Sequence, residues 1–175
     1  MMRFFVVAVV FLVVSIIQMA FFTSLPEPFS LTPFLLVASV YLIQRFGFSL
    51  IGWWIVLQGF ILDFYHLSSV PFEFFSYSAT AIIAVFASRS LFSNRSFYGV
   101  LGATVTTLLS LSVFELLITI VLITFNSFQV QFSVLFMFVI WRTIMAAAFL
   151  FFMYPFVEKI LKLGWILDYK STFSR

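Results

Sequence analysis

FYGVLGATVTTLLSLSVFELLITIVLITF, residues Phe97–Phe125, is a continuous apolar run whose one ionisable group is Glu115. A bilayer core about 30 Å thick takes roughly 20 helical residues, so this run is long enough to cross it. In lipid every backbone amide needs an internal partner, and a helix supplies one where an open strand edge cannot. The stretch therefore predicts a transmembrane helix, and the rest of the chain reads in the same way.

Five more apolar runs flank it, over Phe4–Phe22, about Phe29–Gln44, about Phe48–Tyr65, about Phe72–Ala87 and about Phe132–Tyr154. The fold class expected is an all-α polytopic membrane protein, a single bundle of six transmembrane helices over residues 1–175. Runs two to four are near the lower length limit. The first run carries Arg3 on its flank like a signal peptide, but it is long for one and no A-x-A site follows, so a retained span is expected.

Composition agrees. Of 175 residues, 64% are apolar and 9% charged, and 28 are Phe. Mean hydropathy is +1.22. Such a chain cannot cover its apolar surface as a soluble domain, and disorder needs the opposite composition. With no Cys, disulfides, thiolate metal sites and a Cys nucleophile are excluded, and one His excludes a multi-His cage. The formal charge of +3 does not point to nucleic acid, because the basic residues sit at membrane boundaries and form no patch.

The loops set the orientation. With the N-terminus cytoplasmic, the inner side holds Arg3, Arg45, Arg89, Arg95, Lys159, Lys162, Lys170 and Arg175. The outer loops hold Glu27, His66 and Glu73 and no Lys or Arg. The positive-inside rule then predicts an N-in, C-in chain. Arg45, Arg89, Arg95, Lys159 and Lys162 are the expected basic anchors on the cytoplasmic side. After Pro155, the tail is expected to lie as an amphipathic helix on the inner surface, with a plain extension of the sixth run as the alternative.

Three ionisable groups fall inside or beside the spans, and such groups are functional hypotheses by default. Glu115 and Arg142 are equidistant from the midpoint between Phe128 and Gln129, so on antiparallel spans they lie level. An ion pair near mid-bilayer is expected. It either pins helix five against helix six or lines a polar cavity. Asp63 shares a helix face with Gly52, Val56 and Gly59. The glycines admit a close helix neighbour. Asp63 then points into the bundle or accepts hydrogen bonds from amides of the turn that follows. A metal site at Asp63, His66 and Glu73 is conceivable but unfavoured, and no metal or cofactor is expected. Small residues mark helix contacts: Ser76, Thr80, Ala84 and Ala87; Gly99, Gly102, Ala103, Thr106 and Ser110; and Ala146 to Ala148.

There is no Walker lysine motif, Gly-rich nucleotide loop, zinc-protease helix or serine elbow. An enzyme is not expected. A membrane scaffold and a small solute-binding subunit remain.

The middle of the chain resembles the MreD family of rod-shape-determining membrane proteins. The resemblance begins at Pro33-Phe34-Leu35-Leu36 with Tyr41 and continues through Arg45 and Gly47 into Gln58-Gly59-Phe60-Ile61-Leu62-Asp63. It passes Pro71 and reaches Ser90-Leu91-Phe92-Ser93-Asn94-Arg95-Ser96, covering roughly residues 31–115. Pro71-Phe72-Glu73 stands where that family usually has a glycine. The resemblance implies an inner-membrane component of a bacterial cell-elongation complex, with Gly59 and Asp63 as motif residues. It implies binding to an MreC-type bitopic protein and, through it, to the MreB filament and peptidoglycan-synthesis enzymes. That family's fold also resembles the substrate-binding subunits of energy-coupling-factor transporters, which supplies the alternative.

Overall fold

The computed structural model describes residues 2–21, 24–27, 29–46, 51–65, 71–92, 96–126 and 132–173. His66, Gly47, Arg95 and Arg175 lie outside them, as do the side chains of Arg3, Lys162 and Lys170. The described residues form six α-helices and no strand. They are α1 (Met2–Ala20), α2 (Phe34–Phe46), α3 (Gly52–Tyr65), α4 (Phe72–Phe86), α5 (Phe97–Asn126) and α6 (Phe132–Phe173). A 3₁₀ turn at Phe29–Leu31 precedes α2, and a π-helical turn at Ala87–Leu91 prolongs α4.

Among the described residues, three stretches are long and apolar enough to cross a membrane: Phe72–Leu91, Phe97–Val121 and Leu135–Lys159. The second expected run divides. Pro33 cannot donate to a helix ladder, so the chain closes a 3₁₀ turn before it and starts α2 after it. With 13 and 14 residues, α2 and α3 extend about 20 Å each at about 1.5 Å per residue. They are shorter than the bilayer core; the bundle encloses α2, while α3 keeps one face exposed at Trp53, Leu57, Phe60 and Phe64. α2 is the hub, touching α1, α3, α4, α5 and α6. Leu36, Val40 and Ser39 on it are wholly buried.

α3 and α4 form the tightest pair. At Gly52 a Cβ would lie 3.0 Å from Val85 Cγ2, and at Gly59 one would lie 2.7 Å from both the Glu73 carbonyl oxygen and Tyr77 Cβ. Only hydrogens fit there. α4 and its π-turn pack against α5, and Thr80, Ala84 and Ala87 on the one side and Ala103, Thr104 and Thr107 on the other are all buried. Gly102 seats the Phe92 ring, which a Cβ would approach to 2.5 Å. Small residues let helices meet closely where lipid gives no hydrophobic push between them.

α6 runs without interruption through Pro155 as a 42-residue helix. The separate tail helix expected after Pro155 is thus an extension of the sixth helix. Apolar surroundings tolerate a proline inside a helix, since the freed carbonyl finds other partners more cheaply than a whole helix end does.

Candidate functional site at the Asp63 end of the bundle

The bundle has two chemically distinct ends. At one, Arg45 closes α2 and pairs with Glu158 of α6, Nη1 to Oε1 at 3.5 Å. Arg89 on the π-turn and Lys159 on α6 are exposed there. The Gln44 amide donates to the Phe92 carbonyl, tying α2 to the chain leaving α4.

The opposite end holds Asp63 and Glu73. Asp63, in the last turn of α3, is 7% exposed. Its Oδ1 accepts from the Glu73 amide at 3.1 Å and its Oδ2 from the Phe74 amide at 2.8 Å. These amides belong to the first turn of α4, whose own cap residue is Pro71 and makes no side-chain capping bond. A helix N-terminus leaves its first amides without intrahelical partners and carries partial positive charge. Asp63 answers both from the neighbouring helix. Gly59, one turn earlier, removes the bulk that would hold α4 away.

Gln18 does the same for α2. Its Oε1 accepts from the Leu35 amide and its Nε2 donates to the Thr32 carbonyl, both at 3.2 Å. Gln18 is buried, and sequence reasoning passed it over. The signal was available: a lone amide near the end of an apolar run, followed by a Pro-Phe helix start, as at Asp63 and Pro71.

Glu115 and Arg142 join α5 to α6. Arg142 Nη1 donates to both carboxylate oxygens, at 2.8 Å to Oε2 and 2.9 Å to Oε1. The Arg142 guanidinium also lies 4.7 Å from the centre of the Phe138 ring. Glu73 and Tyr77 of α4 are within electrostatic reach of both charges. Asp63 thus ties α3 to α4 and the ion pair ties α5 to α6, at one level of the bundle.

That level is not mid-bundle. From Glu158 to Arg142, α6 rises about 24 Å, at about 1.5 Å per residue. The Glu115–Arg142 pair shares the level of the Asp63 end of α3 and α4. Equal spacing from the turn fixes that two residues are level, not how far both helices overshoot their neighbours. α5 continues from Glu115 to Asn126, a further ~16 Å.

Among the described residues, no group of three His, Cys, Asp or Glu is placed to hold a metal. The Asp63–His66–Glu73 notion rests partly on His66, outside those residues. Arg45, Arg89 and Lys159 share the end opposite Asp63, and Lys162 follows on the α6 backbone. Comparison with known proteins yields no match to a family model, a curated protein or a solved structure.

Proposed function

We propose that the chain is a non-catalytic, multi-pass scaffold of the bacterial inner membrane, N-in and C-in with six spans, serving the cell-elongation complex through an MreC-type bitopic partner. Through that partner it reaches the MreB filament and peptidoglycan-synthesis enzymes. The observation that carries this reading is how the charges of the Asp63 end are used. Asp63 caps α4, and Glu115 and Arg142 hold each other across α5 and α6. Asp63, Glu115 and Arg142 each join two helices, which suits a rigid platform better than a solute path.

Two further observations support the platform. Exposed Trp53 and Tyr98 lie at the Arg45 end and exposed Tyr65 at the other, where amphipathic rings suit the two membrane interfaces. Beyond the ion pair, Leu117, Ile120 and Val121 of α5 and Phe136 and Met137 of α6 are exposed. They offer an apolar ridge to a single-span partner.

Affinity purification of the tagged full-length protein from its native membrane, with mass spectrometry of what accompanies it, tests the reading. An MreC-type protein with filament or cell-wall enzymes is the expected result. A membrane coupling subunit with paired ATPases overturns it and makes the chain a substrate-binding subunit of an energy-coupling-factor type importer.

A further inference from the structure

At the Asp63 level three carboxylates share one guanidinium. Asp63 accepts from two α4 amides, and Glu115 and Arg142 hold each other. Glu73, in the first turn of α4, is the carboxylate left over. It is part-exposed, and its side chain makes no ion pair or hydrogen bond among the described residues. Its charged neighbours are Glu115 and Asp63, which repel it, and Arg142, which Glu115 already engages. An ionisable group at the edge of lipid is costly without a partner and ordinarily has one.

Tyr77 is four residues along α4, so it shares a helix face with Glu73. It faces the same charges and is 5% exposed. Its hydroxyl makes no hydrogen bond among the described residues, yet it is not sealed off as that of Tyr41 is. A hydroxyl oxygen there is a second acceptor for a cation that comes to Glu73.

The α5–α6 hairpin rises past this level. From Val113 to Val121 on α5 and from Leu135 to Met145 on α6 no residue is buried, whereas Leu108 and Leu111 on α5 and Ala146 and Leu150 on α6 are. α4 starts at Phe72 and does not follow the hairpin further. The result is a step. Its wall is apolar, with Leu117, Val121, Phe136 and Met137 exposed, and Glu73 and Tyr77 lie at its foot.

We infer that this step receives the membrane-spanning helix of a different chain, whose Lys or Arg pairs with Glu73. The apolar wall suits a span, and the carboxylate selects its basic residue by charge. A second copy of this chain cannot supply that cation. Among the described residues Arg142 is the basic group of this level and Glu115 holds it, while Arg45 is paired at the other end. A basic residue at the outer end of a span runs against the positive-inside rule, so a partner that carries one there needs a carboxylate to meet it. The inference rests on the scaffold reading above and names the contact that holds the single-span partner.

Co-purification of the tagged full-length chain with its single-span partner from native membranes, read by mass spectrometry as the ratio of partner to chain, tests the contact. Glu73→Gln is expected to lower that ratio about tenfold or more, the weight of a hydrogen bond to a charged group. Tyr77→Phe, which keeps the ring beside Gly59, lowers it less. Glu27→Gln, on an exposed carboxylate of the same side, leaves it unchanged. Glu73→Lys loses the partner, and reversing the basic residue of the partner's span to Glu restores it. Because the Glu73 carboxylate has no partner among the described residues, Glu73→Gln is also expected to keep the unfolding midpoint of the isolated protein. A wild type that brings no single-span protein overturns the scaffold reading and this contact with it. A partner ratio equal in the wild type and Glu73→Gln overturns the contact alone. A midpoint lowered by Glu73→Gln as far as by Arg142→Met also overturns it, and assigns Glu73 to folding. Loss of a bound ethanolamine phospholipid from Glu73→Gln, at an unchanged partner ratio, overturns it in favour of a lipid headgroup.

Discussion

Asp63 and the Glu115–Arg142 pair carry most of what single residues do here. Removing one member of a fully buried ion pair typically costs about 3–5 kcal/mol, an upper bound for this part-buried pair. Glu115→Gln and Arg142→Met are each expected to lower the unfolding midpoint in detergent strongly. The charge-swapped Glu115→Arg, Arg142→Glu protein is expected to recover much of the loss, because the bidentate contact can form in either direction. A swapped protein no better than either single substitution contradicts simple pairing. Asp63→Ala strips two amides of their acceptor and is expected to cost about 1–3 kcal/mol. Asp63→Asn keeps one acceptor and falls between. Equal stability of the wild type, Asn and Ala proteins refutes the capping role. The pairing was legible because two charges equidistant from a turn lie level on antiparallel helices. The two capping bonds of Asp63 were one of two readings its sequence position left open.

Helix contacts decide the next scale. Gly59→Ala drives a Cβ into the Glu73 carbonyl and Tyr77, with no flexible side-chain end to yield. Overpacking of this kind costs about 1–3 kcal/mol. Urea unfolding in mixed micelles is expected to show Gly59→Ala clearly weaker than an alanine at exposed Leu57 on the same helix. Equal midpoints refute close packing of α3 on α4. Gln18→Leu removes both bonds to the start of α2, for an expected loss of about 1–2 kcal/mol by the same measurement. The stripe Ser76, Thr80, Ala84 and Ala87 is buried in full and was readable, because small residues at helical spacing have few other uses in lipid. On α5 the register was less readable. Thr104 and Thr107 are buried while Thr106 and Ser110 are only partly so, since small residues surround that helix on several sides. The passage of α6 through Pro155 was left open by the sequence, because proline stops helices in water far more reliably than in an apolar bundle.

At the scale of the molecule, the helical class follows from one physical fact. Amides in lipid must bond within their own segment, so apolar runs become helices whatever their propensities. The runs already showed unequal length; what they could not convey is how the long helices register against the short ones. α2 and α3 are short, and α5 and α6 pass beyond them, so Glu115 and Arg142 lie level with the Asp63 end of α3 rather than with its middle. The account stands on a six-span bundle with the Arg45 end in the cytoplasm. The chain has no native Cys, so single cysteines report position without background. Labelling with a membrane-impermeant maleimide in intact cells, applied to Ser69→Cys, Ser127→Cys, Ser93→Cys and Ser174→Cys, tests that arrangement directly. Labelling of the first two and protection of the last two until the membrane is opened is the predicted result. Labelling of Ser93→Cys or Ser174→Cys in intact cells contradicts the account.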